Sequence, residues 1–496
     1  MSQPPQYGPP PQPGDRSPQQ PSAPLPPLAP PPPPPSPAMP SRTPTVLSAA
    51  VTRRPAWRRP ALIGLVLALL LAGGGWALWS FTGKASSGPK KPDDSVKGPA
   101  PGSVAWMAES RTKPDEKGMK SALGTWFTSS LVVKAEPDMV TAYDIKSGQK
   151  KWSFLLQGSL CAASRESEGD IAVVSVEYAG VCTHLIAFDL RDGHRTWEEL
   201  LIDEKDAAAA LTPAKWGKAA LEIALHDGHA YMTWGKGEQT RRLADGKLVE
   251  EQKRDDACEK VDSAGGARLI SITYCGKDKV RISSLDPKKL DKPRWSTSVD
   301  RNDGYFTIVS TDPLVLSQAP GKSGRDARYD FVVLDPESGK EKSRVAFNSF
   351  WLLGTCFLTT SGCTGPMTDK DSLYVSGKGV TMAYDLATGK ERWTYKADAN
   401  RFTQPVAVGD GQLVAYTVAT PDRPGRLAYL DARTGKALRT VDHSDRERDR
   451  KNEAMMSRIE GFPRLRNDRL MLINDGGFED AQAGMIFAIS APAKSG

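Results

Sequence analysis

Histidine is rare in this 496-residue chain, which contains five. The sequence also lacks the G-x-S-x-G, H-E-x-x-H and G-x-x-x-x-G-K-[ST] motifs, so it offers no nucleophile elbow, zincin helix or P-loop. Because histidine is the side chain that titrates nearest neutral pH, its scarcity further limits the candidates for acid–base catalysis. These absences disfavour the common hydrolases, zinc proteases and nucleotide-dependent enzymes.

The metal-binding patterns that remain are weak. His226 and His229 have HxxH spacing, but they flank an Asp-Gly pair between two alternating apolar runs, which predicts a hairpin turn. Residues 474–480 cluster acids and glycines without the spacing of an EF-hand, and are expected to form a loop. The sequence therefore assigns no metal ligand and no catalytic residue.

Long hydrophobic runs are also scarce, and a mean hydropathy of −0.43 excludes a polytopic membrane protein. One uncharged run, residues 61–83, is long enough to cross a bilayer, since about 20 apolar residues suffice. Arginines crowd residues 53–60 before it, so we predict a single transmembrane helix within 53–83 and a cytoplasmic N-terminus. A cleaved signal peptide is the alternative, but its apolar core would span only about 7–15 residues.

Proline and charge are unevenly distributed. Residues 1–60 hold 22 of the 40 prolines, with six arginines and one aspartate, whereas the remaining chain carries 60 basic and 58 acidic residues. Residues 1–52 are predicted to be a disordered Pro-rich cytoplasmic tail, either a spacer or a ligand for a proline-binding groove. Residues 84–103 read as a flexible linker. The nearly neutral remainder, 104–496, argues against a nucleic-acid partner.

The folded part, 104–496, is built from a repeat in which apolar alternation leads to Asp, a short turn with Gly, a basic residue and often Trp. The best copies are residues 142–152, 187–197 and 383–393. Successive copies lie about 49 residues apart, which is typical of the blades of a β-propeller. Eight blades fit the length, or seven if the degenerate copy near 243 is an insertion. A half-copy at 485–491, together with residues 104–106, predicts that strands from both ends close the ring.

Each repeat position has an expected structural role. Asp accepts hydrogen bonds from the turn, Gly permits a positive φ, and Trp packs between neighbouring blades. A ligand-stacking platform is the alternative for the tryptophans. These repeat residues are Asp144, Gly148, Trp152, Asp189, Gly193, Trp197, Asp286, Trp295, Asp335, Gly339, Asp385, Gly389, Trp393, Asp431 and Gly435.

All six cysteines lie beyond residue 160, and none forms a Cys-Cys or C-x-x-C pair. An even number on the exported side of a membrane is typical of disulfides, and six cysteines allow 15 pairings. Pairing of sequence neighbours is expected because each bond then falls within one blade or an adjoining loop. Zinc is the alternative, but only His184 lies near a cysteine in sequence. The expected pairs are Cys161–Cys182, Cys258–Cys275 and Cys356–Cys363.

The copy at 383–393 closely resembles the pyrroloquinoline-quinone-like (PQQ-like) β-propeller repeat, A-x-D-x-x-T-G-x-x-x-W. That family includes quinoprotein alcohol dehydrogenases, the propeller lipoprotein of the outer-membrane barrel-assembly machinery, and extracellular sensor domains of membrane-anchored actinobacterial proteins. The layout of Pro-rich tail, anchor and propeller is similar to the last group. The dehydrogenases commonly carry an adjacent Cys-Cys disulfide over the quinone, with acidic and amide ligands for calcium. Because this chain lacks Cys-Cys, the resemblance implies no cofactor.

The function that these patterns favour is a membrane-anchored, extracytoplasmic binding or scaffolding propeller without enzymatic activity. Its partner would be a protein or a cell-envelope ligand held by propeller loops. Two insertions are candidate partner surfaces, residues 202–219 and the mixed-charge helical segment 444–458. A degenerate quinoprotein dehydrogenase and an envelope sensor that signals through a tail-binding partner are the alternatives.

Overall fold

The computed structural model describes residues 99–492 apart from several connecting segments, and the described residues lie within one unit, Asp94–Gly496. The segments outside the description are 110–123, 179–180, 202–220, 235–236, 254–257, 277–278, 301–303, 320–328, 348–364, 459–460 and 475–483. The predicted tail, the predicted membrane helix and residues 84–98 of the predicted linker also lie outside the described residues. Within the described part, no helix is long and apolar enough to span a membrane.

The described residues form eight four-stranded antiparallel sheets, which we number as blades 1 to 8 along the chain. Blades 1 to 4 contain β2 (Thr125–Phe127), β3 (Leu131–Glu136), β4 (Met139–Asp144), β5 (Lys150–Leu155); β6 (Leu160–Ala163), β7 (Ile171–Tyr178), β8 (Val181–Asp189), β9 (Arg195–Leu200); β10 (Leu221–His226), β11 (His229–Trp234), β12 (Gly237–Arg242), β13 (Leu248–Lys253); and β14 (Cys258–Ala264), β15 (Leu269–Cys275), β16 (Lys279–Leu285), β17 (Trp295–Asp300).

Blades 5 to 8 follow the same plan, with one helix between the last two. They contain β18 (Tyr305–Thr311), β19 (Leu314–Ala319), β20 (Tyr329–Leu334), β21 (Glu341–Phe347); β22 (Met367–Thr368), β23 (Ser372–Gly377), β24 (Val380–Asp385), β25 (Glu391–Lys396); β26 (Thr403–Gly409), β27 (Gln412–Thr417), β28 (Arg426–Asp431), β29 (Ala437–Asp442); then helix α1 (Glu447–Arg458); and β30 (Gly461–Arg466), β31 (Arg469–Asn474), β32 (Gly484–Ser490), with β1 (Val104–Glu109) as the fourth strand.

The order of strands within a blade follows from burial. Neighbouring blades touch through their first strands, as β10 does with β14 and β26 does with β30. Second and third strands such as β3 and β20 are buried throughout, whereas fourth strands such as β17 alternate between exposed and half-buried residues. First strands therefore surround the axis and fourth strands form the rim, as in a β-propeller. The prediction of a PQQ-like propeller is confirmed, with eight blades rather than seven.

The Asp-Gly turn joins the third strand of a blade to the fourth. In blade 7, Asp431 Oδ1 accepts hydrogen bonds from the Thr434 N–H and hydroxyl, both at 2.8 Å. Gly435, at φ +70°, donates its N–H to the Asp431 carbonyl. Only glycine adopts that conformation without strain, which explains the spacing of the repeat. The carboxylates of Asp144, Asp189, Asp286, Asp335 and Asp385 likewise accept backbone N–H groups of their own turns.

The repeat tryptophans join neighbouring blades. Trp393 on the rim of blade 6 lies flat against Gly435 of blade 7, where a Cβ would come within 2.5 Å of its ring, and donates its Nε1–H to the Ala432 carbonyl at 2.9 Å. The ring thus fills the space that the turn glycine leaves. Trp197 and Trp295 make the same contacts to the next blades, Trp152 lies against Gly193, and Trp106 of β1 lies against Gly148. No ligand platform is needed to explain these residues.

The ring closes by rebuilding this turn from the two ends of the chain. In the closing blade, β1 pairs with β32, as predicted. The Gly102 N–H donates to the Ser490 carbonyl at 2.7 Å, and the Ser490 N–H donates to the Ser103 carbonyl at 2.9 Å. The same two bonds hold the Asp431 turn, at 2.8 and 2.9 Å. Ser490 therefore occupies the Asp position and Gly102, at φ +84°, the Gly position of the eighth copy.

Candidate functional site

The two edges of the blades differ in what they carry. In an antiparallel blade the first hairpin and the Asp-Gly turn lie at one edge, which we call the turn side. The connection between the second and third strands, and the connection to the next blade, lie at the opposite edge, the loop side. Most turn-side connections are short, such as Asp227-Gly228, and the longest are 164–170 and 286–294. The long connections 202–220, 348–364 and 443–460 all belong to the loop side.

Disulfides brace the loop side. Cys161 at the start of β6 is bonded to Cys182 at the start of β8, and Cys258 is bonded to Cys275 directly across β14 and β15. These are two of the three pairs expected from the sequence. The third pair, Cys356 and Cys363, lies outside the described residues, in the loop-side connection between blades 5 and 6. The two described disulfides thus join strands at their loop-side ends.

Removing the first of these disulfides is expected to destabilise the domain moderately. Cys161 and Cys182 are 21 residues apart, and replacing both by serine removes the cross-link that restricts the unfolded chain. The free energy of unfolding should fall by about 3 kcal/mol. Urea unfolding under non-reducing conditions measures the change. The matched variant replaces Cys258 and Cys275, whose separation is 17 residues, and should lose a similar amount. A loss well below about 1 kcal/mol would contradict a structural role.

Helix α1 forms part of the loop side between blades 7 and 8, within the segment predicted to be helical. Glu453 anchors it, because this buried carboxylate accepts the Tyr416 hydroxyl at 2.8 Å and lies 2.7 Å from His443 Nδ1. Burial raises the pKa of Tyr416 well above its ordinary value, so the phenol remains a donor. Gly425 makes room for this contact, since a Cβ there would lie 1.9 Å from Glu453 Oε1. The exposed face of α1 includes Glu447 and Lys451.

Exposed aromatic residues also lie on the loop side. Tyr305 begins β18 and is 50% exposed, and Phe402 precedes β26 and is 41% exposed. Both stand at the loop-side ends of first strands, close to the axis. Aromatic side chains that remain in solvent at such ends are suited to partner contacts.

An ionic cluster lies among the first strands of blades 2 to 4, and no sequence pattern revealed it. Glu222 belongs to β10 and Asp262 to β14, and Arg165 follows β6. Arg165 Nη2 is hydrogen-bonded to Asp262 Oδ1, and the two side chains are 17% and 5% exposed. Asp262 Oδ2 also accepts the Ile308 N–H at 2.7 Å, while the Ser263 hydroxyl donates to Glu222 at 3.1 Å.

Burial dominates the electrostatics of this cluster. It raises the pKa of Glu222 to about 7, with the nearby charge of Asp262 acting in the same direction and Arg165 opposing it. Burial also raises the pKa of Asp262 above its ordinary value, although Arg165 and the Ile308 N–H favour the ionised form. Burial likewise raises the pKa of Glu166, against the opposing effects of Arg165 and the N–H groups of Gly265 and Leu225. One cation, Arg165, therefore faces three carboxyl groups.

These residues do not fit a calcium–quinone site of the dehydrogenase type. Both oxygens of Asp262 already bind Arg165 and the Ile308 N–H, so they are not free ligands. Nowhere in the described ranges do three His, Cys, Asp or Glu side chains converge as a metal site would require. Together with the lack of a Cys-Cys pair, the donor set gives no support to quinone chemistry at the axis.

The HxxH pair lies at a hairpin, as its sequence context predicted. His226 ends β10, His229 begins β11, and the two are directly paired across the turn. Each ring is held by a backbone carbonyl, His226 Nδ1 by Gly266 and His229 Nδ1 by Asp227, at 2.8 and 2.6 Å. The pair therefore stabilises the turn side. Residues 475–480 of the second weak motif lie outside the description.

Comparisons with known proteins agree with this architecture. A family model described as outer membrane protein assembly factor BamB matches residues 93–304 and 328–477. Among solved structures, BamB from Moraxella catarrhalis is 13% identical, with 75% of this chain and 99% of that chain covered and a TM-score of 0.42. The quinohemoprotein alcohol dehydrogenase from Comamonas testosteroni is 11% identical, with 79% and 76% covered and a TM-score of 0.43. No curated protein matches the chain.

Proposed function

This chain belongs to the PQQ-like propeller family of the outer membrane protein assembly factor BamB, and we propose that it is a non-enzymatic binding module of the cell envelope. Its loop side would hold a protein or a cell-envelope ligand. The observation that carries the proposal is the asymmetry of the ring. The turn-side connections span nine residues or fewer, whereas the longest connections, both described disulfides, α1 and two exposed aromatic residues lie on the loop side.

The polar residues of the repeat support a binding role rather than a catalytic one. The repeat aspartates are committed to their turns, and four of the five tryptophans that lie against turn glycines of the next blade also donate their Nε1–H to that blade. The ionic cluster at the axis is likewise bonded within the ring. The loop side, whose connections differ in length from blade to blade, is therefore the part of the ring available for binding. Proteins commonly place binding residues on long loops held by a rigid scaffold.

The proposed location is the outer face of the cell membrane. An apolar run of 23 residues behind an arginine cluster supports a single membrane helix with the N-terminus in the cytoplasm. Disulfides support an oxidising compartment for the propeller. The Pro-rich tail would then be the cytoplasmic part of the protein.

Site-specific photo-crosslinking in cells tests the loop-side assignment. In separate variants, a photoreactive residue replaces Lys451 on the exposed face of α1 or Phe402 near the axis. The matched control replaces Lys390, an exposed lysine in the Asp-Gly turn of blade 6 on the turn side. We expect a discrete crosslinked species from the loop-side positions and none from Lys390. Crosslinking that is equal at all three positions, or stronger at Lys390, would overturn the assignment.

A further inference from the structure

The chain enters the ring in blade 8, on the turn side. β1 begins at Val104, and just before it the Gly102 N–H donates to the Ser490 carbonyl in the turn rebuilt from both ends of the chain. Fifteen residues, 84–98, separate the long apolar run from the described propeller. Fully extended, they span at most about 50 Å, which limits the distance between that run and the turn side.

Exposed charges are unevenly distributed over the turn side. Each turn is taken from the Asp position to the second residue of the fourth strand, and each first hairpin with one flanking residue on either side. Blades 7, 8 and 1 then expose six basic residues and one acidic residue, whereas blades 2 to 6 expose twelve and eight. The six basic residues, which we call the basic arc, are Lys146, Lys150, Lys151, Arg433, Lys436 and Arg466. They flank the entry of the chain.

The carboxylates beside the basic arc are mostly engaged within the fold. Asp144 accepts the Ser147 N–H at 2.9 Å, and Asp431 accepts the Thr434 N–H at 2.8 Å. Asp468 Oδ2 lies 2.8 Å from Nη1 of the buried Arg469. All three aspartates are half-buried. The groups that these blades present to solvent are therefore mainly cations.

Contacts between blades 8 and 1 hold the basic arc in place. Arg469 Nε and Nη2 donate to the Lys146 carbonyl at 3.2 and 3.1 Å. Asn467 Nδ2 donates to the Ser129 carbonyl at 3.1 Å, and the Arg466 guanidinium lies 5.4 Å from the centre of the Phe127 ring. Because the backbone that carries these cations is already fixed, little ordering is required when they meet a flat surface.

We propose that the basic arc docks on the anionic lipid headgroups of the membrane in which the protein is anchored. The proposal rests on the single membrane helix of the proposed function. Basic residues close to an anionic bilayer are attracted to it, and this attraction falls off within a Debye length. The anchor makes the contact intramolecular, so a modest attraction is sufficient. The loop side, at the opposite edge of the blades, would then point away from the bilayer towards its partner.

Full-length protein in lipid nanodiscs tests the docking. One kind of disc contains phosphatidylcholine alone, the other contains phosphatidylcholine and phosphatidylglycerol in equal parts, and both faces of a disc are open to a water-soluble amine reagent. Mass spectrometry should show that Lys150 and Lys436 react about fivefold or more slowly in the anionic discs. Lys451 on α1 should react equally in both. High salt should abolish the difference, because it screens exposed charges.

Gel filtration of the same samples separates the docking from the anchor. Elution of the protein apart from both kinds of disc would contradict the membrane helix, and the docking would fall with it. Co-elution with both kinds of disc, but equal labelling of Lys150 and Lys436 in the two, would overturn the docking alone and leave the membrane helix standing.

A pair of charge reversals assigns the effect to the basic arc. Lys150→Glu combined with Lys151→Glu should remove most of the protection of Lys436 in anionic discs. The matched control, Lys288→Glu combined with Lys289→Glu, makes the same change in net charge on the turn side of blade 4 and should leave that protection intact. All four side chains are exposed, so neither pair disturbs the core. An equal loss from both pairs would overturn docking through the basic arc.

Discussion

Deletion of residues 1–109 is expected to leave the ring open and prevent a single cooperative unfolding transition. Blade 8 would lose its fourth strand, and β32 would become an unpaired edge that promotes association. The Trp106 contact to blade 1, with its 2.9 Å hydrogen bond to the Ile145 carbonyl, would be lost at the same time. Size-exclusion chromatography and urea unfolding measure both effects.

The matched control for this deletion is removal of residues 1–98 alone. That variant keeps Gly102, Ser103 and β1, and hence the turn rebuilt with Ser490. It should remain monodisperse and unfold in one sharp transition. If the longer deletion behaves like the shorter one, closure through β1 is not what holds the ring together.

Trp393→Ala is expected to cause the second large loss. It empties the space between blades 6 and 7 beside Gly435 and removes the hydrogen bond to the Ala432 carbonyl. Truncation of a buried aromatic residue to alanine costs about 3–5 kcal/mol, so the midpoint of urea unfolding should fall strongly. Trp393→Phe keeps most of the ring area and should cost much less.

Blade 5 provides a natural control for this tryptophan. Ser343 takes the corresponding place there and donates its hydroxyl to the Leu386 carbonyl at 2.6 Å. Ser343→Ala removes only that hydrogen bond and should lower the free energy of unfolding by about 1 kcal/mol. If Trp393→Ala costs no more than Ser343→Ala, the tryptophan does not join the blades in the way the structure indicates.

Much of the fold could be predicted because each copy of the repeat specifies its own turn and its own packing residue. Asp, Gly and Trp at fixed offsets specify a turn, a positive φ and a packed ring, and each copy does so without reference to the rest of the chain. Even the degenerate copy near 243 forms a blade: Arg242 takes the Asp position, and its carbonyl accepts the Gly246 N–H. The hydrogen bonds of the backbone therefore preserve the turn where the side-chain motif has been lost.

The ionic cluster near the axis could not be predicted, because a local repeat carries no information about contacts between blades. Arg165, Glu222 and Asp262 come from three blades and share no spacing, so they meet only once the ring has formed. Glu453 and His443 present a similar case, since their contact depends on how α1 packs against blades 7 and 8. Sequence periodicity shows elements and their repeats, whereas contacts across blades appear only in three dimensions.

We propose that this propeller binds a partner and has no quinone-dependent dehydrogenase activity. The purified full-length protein is incubated with excess pyrroloquinoline quinone and calcium, passed through gel filtration, and assayed for quinone absorbance and for dye-linked oxidation of alcohols and sugars. We predict that no quinone is retained and that the oxidation rate equals that of a buffer control. Stoichiometric quinone retention together with substrate oxidation would contradict a non-enzymatic role.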